Sequence, residues 1–599
     1  MSMIKSISCC LLFLVFAHHL SAQPTRSQIL SLDSALTQLH NQSMFNGVVL
    51  LADHGKLLYK KAFGAADIDK EIPLETNSAF NLASVSKQFV AMMAVILQEK
   101  GKLHYDDKVQ QYLPSFPYNN ISIRQLITHT SGLPEYFDLV ETQKNRLDTL
   151  TNAKLLQLLA KTKPKLRFSP GERWEYCNTG YVMLAAVVEK AAEMPIAQFF
   201  KQQITDPLGM KDTYIYTILS PQSPPNRVLG FKRENGKNLP NDLMRYDGVV
   251  GDGNIYASAE DLLKWDQSFY TNTNRFASTK AIKEAFSPVR LNNGQTYPYA
   301  FGWEIDSTGT VMFHTGSWVG FNNIFIRNVG KRLTAIMLSS GSDGRAGACL
   351  KAVLDGQKPV LPQVQLLSNV RLIDGTGAPA RVCAVRLRDD KIWEIGDLRP
   401  FPGETVTDCR GLTLAPGFID PQNHPFSELK DQPDGTALLS QGVTTIFMEP
   451  DGYSIDTLLA LFTKPLVAVN VATYARQTNL HETRMSEHHV RRTERPEDST
   501  VVKSLLQEEM GNGSLETAVH NITGLSAQQR GLTDRGIVVP DYKADLVLFN
   551  PESVQGNTDN VQHPVSPSTG IEKVWVNGRL VFEKQKPTGV YPGELIIGK

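Results

Sequence analysis

Cysteine is scarce in this chain of 599 residues: there are 6, and no two stand in Cys-x-x-Cys spacing. That scarcity excludes zinc knuckles and dithiol redox pairs as the working chemistry. Beyond the first 22 residues four remain, Cys177, Cys349, Cys383 and Cys409. Cys383–Cys409 is the one pair to consider for a disulfide, and buried free thiols are the simpler state. Charge of one sign is lacking as well. Lys plus Arg and Asp plus Glu each number 61, so nothing favours nucleic acid or an anionic membrane surface as partner. Past the N-terminus no apolar run approaches the roughly 18 residues that a membrane span needs. Internal repeats and low-complexity tracts are missing too. What is present is 41% hydrophobic and 8% aromatic, an ordinary globular composition. The length exceeds one hydrophobic core, and two domains are expected.

At the N-terminus Lys5 precedes the apolar run Cys9 to Ala17, and the small residues Ser21 and Ala22 follow. This pattern predicts a secretory signal peptide over residues 1–22, cut near Ala22–Gln23. Cys9 and Cys10 lie inside the apolar run, not after it, so a lipoprotein signal is not expected. The mature protein is expected to be soluble and periplasmic or secreted.

Apolar spacing predicts an amphipathic helix over Gln28 to Gln42, then strands Phe45–Ala52 and Lys56–Phe63 joined by the hairpin turn Asp53-His54-Gly55. A long helical pattern opens at Ser84 and closes at Gly101. Further helices are expected at Thr151–Thr162, Gly180–Ala192 and Ala259–Tyr270. Strand-like runs return at Phe301–Asp306, Val311–His314, Asn323–Arg327 and Leu333–Ser339. The economical reading is an antiparallel sheet built from both ends of this segment, with helices inserted between. Gln357 to Pro362 reads as a linker. After it come short strands at Val364–Ile373, Arg381–Arg388, Lys391–Ile395 and Gly411–Leu414, and again at Ala544–Phe549, Ile571–Asn577 and Arg579–Glu583. Strand groups from both ends of a segment belong to one sheet system around an inserted unit. The mixed-charge stretch His481 to Asp498 reads as a solvated loop or helix face.

Three short motifs occur in order: Ser84-Val-Ser-Lys87, Tyr176-Cys-Asn178 and His314-Thr-Gly316. Each alone is weak, since Ser-x-x-Lys recurs at Ser2/Lys5 and Ser427/Lys430, and Tyr-x-Asn at Tyr118/Asn120 and Tyr270/Asn272. Together they supply a hydroxyl nucleophile, an amine to deprotonate it, a phenol to relay a proton and an amide to orient substrate. Ser84 and Lys87, three apart at a helix start, share one face. The lysine pKa must fall from about 10.4 for it to act as a base near neutrality. The turn after His314 is expected to bring the backbone N–H of Ser317 beside that of Ser84 as an oxyanion hole. His129 reads as part of a pocket wall. His40, His54 and His104 read as surface residues.

These motifs, with Leu126-Ile-Thr-His-Thr-Ser-Gly-Leu-Pro134, Phe168-Ser-Pro-Gly-Glu172, Gly251 to Trp265 and Phe301-Gly-Trp303, resemble the serine beta-lactamase-related family over roughly residues 28–345. That family includes class C beta-lactamases, D-alanyl-D-alanine carboxypeptidases and esterases. The resemblance implies Ser84 as nucleophile, Lys87 and Tyr176 as base and proton relay, and Asn178, His314, Gly316 and Ser317 as substrate-binding residues. Where class C beta-lactamases carry lysine this chain has His314. Histidine titrates near 6.5, so a weaker hold on a substrate carboxylate is expected.

Leu414-Ala-Pro-Gly-Phe-Ile-Asp420, the strand Gln441-Gly-Val-Thr-Thr-Ile446, Asn470-Val-Ala472, Leu515 to Gly536, Ala544-Asp-Leu-Val547 and Val576-Asn-Gly578 resemble the amidohydrolase superfamily, specifically N-acyl-D-amino-acid deacylases. Those are metal-dependent barrels. The expected His-x-His reads Gln422-Asn-His424, and Gln477 stands where another histidine is expected. Asp451 takes the place of a cysteine ligand, leaving Asp420, His424 and Asp451 as a weak possible site. About 50 residues separate Asn470 from Leu515, too few for the missing strand–helix units of a barrel. A truncated, non-catalytic remnant beside an intact small beta-sandwich is expected.

The chain is therefore expected to be α/β (α+β): residues 23–356 a beta-lactamase-like hydrolase, 357–363 a linker and 364–599 a degenerate amidohydrolase-like domain. The expected activity is acyl transfer from an ester, amide, D-amino-acid peptide or lactam to water. Small-molecule or peptide substrates, no cofactor, no catalytic metal, no nucleic-acid partner and no membrane span go with it. The alternative is a non-catalytic or slowly turning over sensor of peptidoglycan fragments or D-amino-acid compounds. Substrate identity and oligomeric state stay open.

Overall fold

The computed structural model describes residues 23–142, 149–270, 276–423, 429, 432–448, 467–474, 514–554 and 568–598. The expected signal peptide, the stretch 481–498, and His424, Asp451 and Gln477 lie outside them. The chain divides into two compact units, one of Met1–Arg233 with Asn238–Leu361, the other of Glu234–Lys237 with Pro362–Lys599.

The first unit is built on a six-stranded antiparallel sheet. Its strands are β1 (Gly47–Asp53), β2 (Lys56–Phe63), β3 (Glu304–Ile305), β4 (Val311–Trp318), β5 (Phe321–Asn328) and β6 (Leu333–Ser339), in the order β3-β4-β5-β6-β1-β2. Both ends of the segment thus meet in one sheet, where β1 pairs with β6 from Gly47↔Ser339 to Asp53↔Leu333. The β1–β2 turn needs two left-handed residues, and His54 (φ 49°) and Gly55 (φ 78°) provide them. β1 is buried from Gly47 to Ala52, whereas β2, at the edge, is mostly half-exposed. Helix α1 (Arg26–Asn41) opens with a Thr25–Gln28 capping box and buries Leu32, Ala35, Leu36 and Leu39. Two helices between the strand groups are apolar nearly all round and form the centre of the unit. They are α2 (Lys87–Glu99), buried from Lys87 to Leu97, and α4 (Asn178–Ala192); α3 (Asn152–Thr162) lies between them in sequence. A fifth helix, α5, spans Ala259–Ser268.

Three local expectations are corrected. The helix does not begin at Ser84: Ala83–Ser86 form a tight 3₁₀ turn, and α2 starts at Lys87. Of the strand expected at Phe301–Asp306 only Glu304–Ile305 pair, because Gly302 (φ 77°) turns the chain against the backbone of Gln88. His40 is half-buried with Nδ1 on the Phe45 carbonyl at 3.0 Å, so it is not a free surface group. His54 and His104 are exposed, as expected.

The second unit carries two sheets. Strands β7 (Val364–Leu372), β8 (Arg381–Arg388), β9 (Lys391–Gly396), β10 (Thr405–Asp408) and β11 (Thr413–Pro416) precede the inserted segment. After it come β15 (Leu546–Phe549), β16 (Ile571–Val576), β17 (Arg579–Glu583) and β18 (Lys586–Pro587), which join them in the order β9-β8-β7-β11-β15-β16-β17-β18, with β10 on β7. The insert supplies β12 (Phe418–Asn423), β13 (Val443–Met448) and β14 (Asn470–Tyr474), and the last strand, β19 (Leu595–Gly598), adds to β14. These four strands are parallel and bury Val443 to Phe447 and Val471–Ala472, as parallel sheets do when covered on both faces. The chain is mixed α/β as expected, with a short parallel sheet in place of a barrel among the described residues. Cys177, Cys349, Cys383 and Cys409 are all free thiols, Cys383 half-exposed and the rest buried. Among the described residues no helix is long and apolar enough to cross a membrane, and no three His, Cys, Asp or Glu side chains form a metal-holding group.

Candidate active site

The 3₁₀ turn that carries Ser84 is held in an unusual shape. Ala83, its first residue, sits at φ 48°, a left-handed conformation that costs a non-glycine residue strain. The turn is pinned by asparagines: Asn81 Oδ1 accepts from the Ala83 N–H at 2.9 Å, Asn254 Oδ1 accepts from Asn81 Nδ2 at 3.2 Å, and Asn323 Nδ2 donates to the Asn81 carbonyl at 2.8 Å. Ser84 is partly exposed while Ala83, Val85, Ser86 and Lys87 are buried, so the strained turn presents one hydroxyl outward.

Lys87 is fully buried, and its ammonium donates to three oxygens: Ser84 Oγ at 3.0 Å, Asn178 Oδ1 at 2.9 Å and the Asp252 carbonyl at 2.9 Å. The carbonyl is acceptor-only, and so is the amide oxygen. A neutral amine has two N–H groups and one lone pair. When Lys87 gives up a proton, the two fixed acceptors keep the N–H groups and the lone pair is left for the Ser84 hydroxyl. The amine also stands 4.8 Å from the centre of the Tyr176 ring and 5.6 Å from that of Tyr181.

Tyr176 lies beside the same serine. Its hydroxyl is buried and closes no hydrogen bond among the described residues; burial pushes its pKa well above the phenol range, opposed by the nearby Ser84 hydroxyl. Asn178 begins α4, earlier than the expected Gly180. Its side chain is held on both sides: Oδ1 meets Lys87, Nδ2 donates one hydrogen to Glu135 Oε2 at 3.3 Å, and its backbone N–H donates to Glu135 Oε1 at 2.6 Å.

Strand β4 closes the other side. A side chain at Gly316 would put its Cβ 2.1 Å from the Leu82 carbonyl oxygen and 3.2 Å from the Ser84 nitrogen. Only glycine lets this strand approach the nucleophile turn, and Thr315 and Ser317 on either side of it are exposed. His314 departs from its expected place. It is only 2% exposed, its Nδ1 lies 2.6 Å from the Thr315 carbonyl and its Nε2 3.3 Å from the Tyr299 hydroxyl. Burial, reinforced by the positive charge of Lys87, drives its pKa down to about 3, not the expected 6.5. The ring therefore stays neutral and does not offer a cation to a substrate.

Sequence reasoning missed the acidic side of the site. Burial pushes Glu135 up to about 7, against the Asn178 donors and Lys87. Burial likewise raises Asp252, whose Oδ2 accepts from the Tyr136 hydroxyl at 3.0 Å. Asp247, raised to about 6 by burial, accepts from Trp318 Nε1 at 2.6 Å, and Glu304, raised to about 7 by burial, acts on Tyr176. Three of the four lie within or next to a block that carries the family resemblance: Glu135 follows Pro134, Asp252 lies inside Gly251 to Trp265, and Glu304 follows Trp303, whereas Asp247 stands apart from them. Adjacency to those blocks was the available signal. In the second unit Asp420 is buried at 4% exposure; its expected partners His424 and Asp451 lie outside the described residues.

Comparison with known proteins bears on this geometry. A family model described as Beta-lactamase matches residues 32–358, and one described as Amidohydrolase family matches residues 489–582. Penicillin-binding protein 4* of Bacillus subtilis is 38% identical over 370 residues, 59% of this chain and 81% of that protein. D-aminopeptidase of Cereibacter sphaeroides is 25% identical over 341 residues, 55% of this chain and 64% of that protein. The crystal structure of a penicillin-binding protein from Bacillus halodurans superposes with a TM-score of 0.47 at 23% identity, covering 53% of this chain and 98% of that one.

Proposed function

The chain belongs to the beta-lactamase family through residues 32–358, and from that premise we propose that it is an exported serine hydrolase working through an acyl-enzyme. Ser84 Oγ attacks a carbonyl carbon. Its proton passes to Lys87, and Tyr176 relays a proton to the leaving group. The N–H groups of Ser84 and Ser317 receive the oxyanion; losing one such donor costs typically about 10²–10³ in turnover. Water then attacks the acyl carbon and releases acid, restoring Ser84. The observation that carries the reading is the Lys87 amine, 3.0 Å from Ser84 Oγ with its other two hydrogens held by acceptor-only oxygens.

Within this reading Asn178 orients Lys87, and Gly316 admits the strand that bears Ser317. His314 lies on the same strand with its side chain buried. The hydrolase domain is taken as residues 23–356, joined by a linker at 357–363 to the amidohydrolase-like domain, and the product acts in the periplasm or outside the cell.

The substrate class follows from charge. Lys87 is engaged with Ser84, Asn178 and Asp252, His314 stays neutral, and Glu135, Asp252 and Glu304 act on the reacting groups. Neutral or amine-bearing acyl compounds suit this site better than carboxylate-bearing ones, which supports D-amino-acid amides and peptides with a free amine over penicillins. The relative named D-aminopeptidase supports the same choice. Purified mature protein should be assayed on D-alanine p-nitroanilide, p-nitrophenyl butyrate and a chromogenic cephalosporin. The anilide is expected to lead in kcat/KM; a cephalosporin turned over faster than both would overturn the substrate assignment.

A further inference from the structure

Beneath Tyr176 lies a chain of groups that the proposed mechanism does not use. The Cys177 backbone N–H donates to His129 Nδ1 at 3.0 Å, His129 Nε2 lies 3.1 Å from the Tyr299 hydroxyl, that hydroxyl lies 3.3 Å from His314 Nε2, and His314 Nδ1 lies 2.6 Å from the Thr315 carbonyl. The two ends fix every proton between them. A backbone N–H can only donate, so His129 Nδ1 is bare and its proton sits on Nε2, donating to Tyr299. A backbone carbonyl can only accept, so His314 carries its proton on Nδ1, and bare Nε2 takes the proton of Tyr299. All donors and acceptors match when both rings are neutral.

The ends of the chain are the segments that flank the nucleophile. At one end Cys177 follows Tyr176, and the His129 ring lies tilted against the Tyr176 ring with centroids 4.3 Å apart. At the other end Thr315 precedes Gly316, which lies against the Ser84 turn. His129 holds a left-handed φ of 56° to put its ring there, a strained backbone of the kind found at functional sites.

We infer that Tyr299 is a positioning residue: its hydroxyl, held between His129 and His314, ties the Tyr176 segment to the Gly316 strand and fixes which nitrogen of each histidine carries the proton. The effect on turnover rests on the acyl-enzyme reading above; the tautomers do not. Lys87 acts on both histidines, and His314 also acts on His129. Trp174, Tyr176, Tyr181 and Tyr299 surround His129, and Tyr176 and Tyr299 face His314. Tyr181 donates its own proton to the Ile127 carbonyl at 2.8 Å and its oxygen also neighbours the Tyr299 hydroxyl, and Glu304 acts on Tyr176 and Tyr299. Burial lowers the pKa of both imidazoles, consistent with neutral rings.

The test is two-bond proton–nitrogen NMR on the full chain labelled with ¹⁵N-histidine, with His129→Gln and His314→Gln assigning the signals. The wild type is expected to show His129 protonated on Nε2 and His314 on Nδ1, neither titrating between pH 8 and 5. The opposite tautomer at either ring, or a His314 that titrates in that window, overturns the relay. Tyr299→Phe is expected to move the bare Nε2 resonance of His314 downfield, toward that of an imidazole nitrogen without a donor, and to slow phosphonylation by a fluorophosphonate about 10–100-fold, the scale of a small misplacement of reacting groups. A variant that leaves the His314 Nε2 resonance unchanged overturns the clamp, and one that is phosphonylated at the wild-type rate overturns the positioning role. Wild-type protein that the fluorophosphonate never labels contradicts the hydrolase reading instead, with the tautomers still deciding the relay.

Discussion

The site around Ser84 and the interior of the second unit bury their charges in opposite ways. In the second, each buried arginine meets carboxylates directly: Arg535 binds Asp545 at 2.7 Å and Glu594 at 2.5 Å, and Arg386 binds Glu394 and Glu404. In the first, the buried Lys87 donates to a hydroxyl, an amide oxygen and a backbone carbonyl, while burial holds the nearby carboxyls Glu135 and Glu304 up near 7. A compensated pair locks a structure and leaves no group ready to change its protonation. A buried amine facing neutral acceptors, among carboxyls pushed toward neutrality, is the arrangement that proton transfer needs. The contrast separates a reactive centre from a structural one without appeal to motifs.

The largest expected effect breaks the reactive side. Lys87→Ala removes the amine and should lower kcat by about 10³-fold or more in steady-state assays, since members of such a unit are not additive. The structural side breaks differently. Arg535→Met leaves Asp545 buried beside Asn470 and the Asn577 N–H without its cation, and should destabilise the second unit by about 3–5 kcal/mol in urea unfolding. Hydrolysis per folded molecule should persist.

A smaller effect concerns pH. His314 has a folded pKa near 3 against 6.5 unfolded, so the unfolded chain binds the extra proton. Its neutral burial is free of cost above 6.5 and destabilises progressively as pH falls from 6.5 toward 3. Glu135 and Glu304, raised from 4.5 to about 7, act with the opposite sign: the stability they add is present below 4.5 and lost as pH rises through 7. Between pH 7 and 5 the terms oppose each other. His314→Gln removes one of them, so its stability relative to wild type should improve by about 2 kcal/mol on going from pH 7 to 5, measured by urea unfolding at both. The smallest expected effect is none at all. Extensive dialysis against EDTA should leave hydrolysis unchanged, and activity lost to the chelator and restored by zinc would move the chemistry to the second unit.

Much of this was legible in the residues. The hairpin turn at Gly55, the sheet built from both chain ends, and the approach of Ser84, Lys87, Tyr176, Asn178 and Gly316 follow from periodicity, turn chemistry and motif order. What was not legible depends on burial. Histidine on a strand reads as a titrating pocket group until its ring is seen capped by Thr315 and Tyr299. Asn178 carries no sign in the sequence that Glu135 holds its backbone N–H and one hydrogen of its amide. Glu135 and Tyr299 carry no motif of their own, and their weight comes from which donors and acceptors the fold brings against them.

The central claim is that Ser84 is the covalent nucleophile. Intact-mass spectrometry of wild type and Ser84→Ala after incubation with a fluorophosphonate tests it most directly. The account predicts a single adduct on the wild type, mapped to the peptide containing Ser84, and none on the variant. Equal labelling of the two proteins would contradict it.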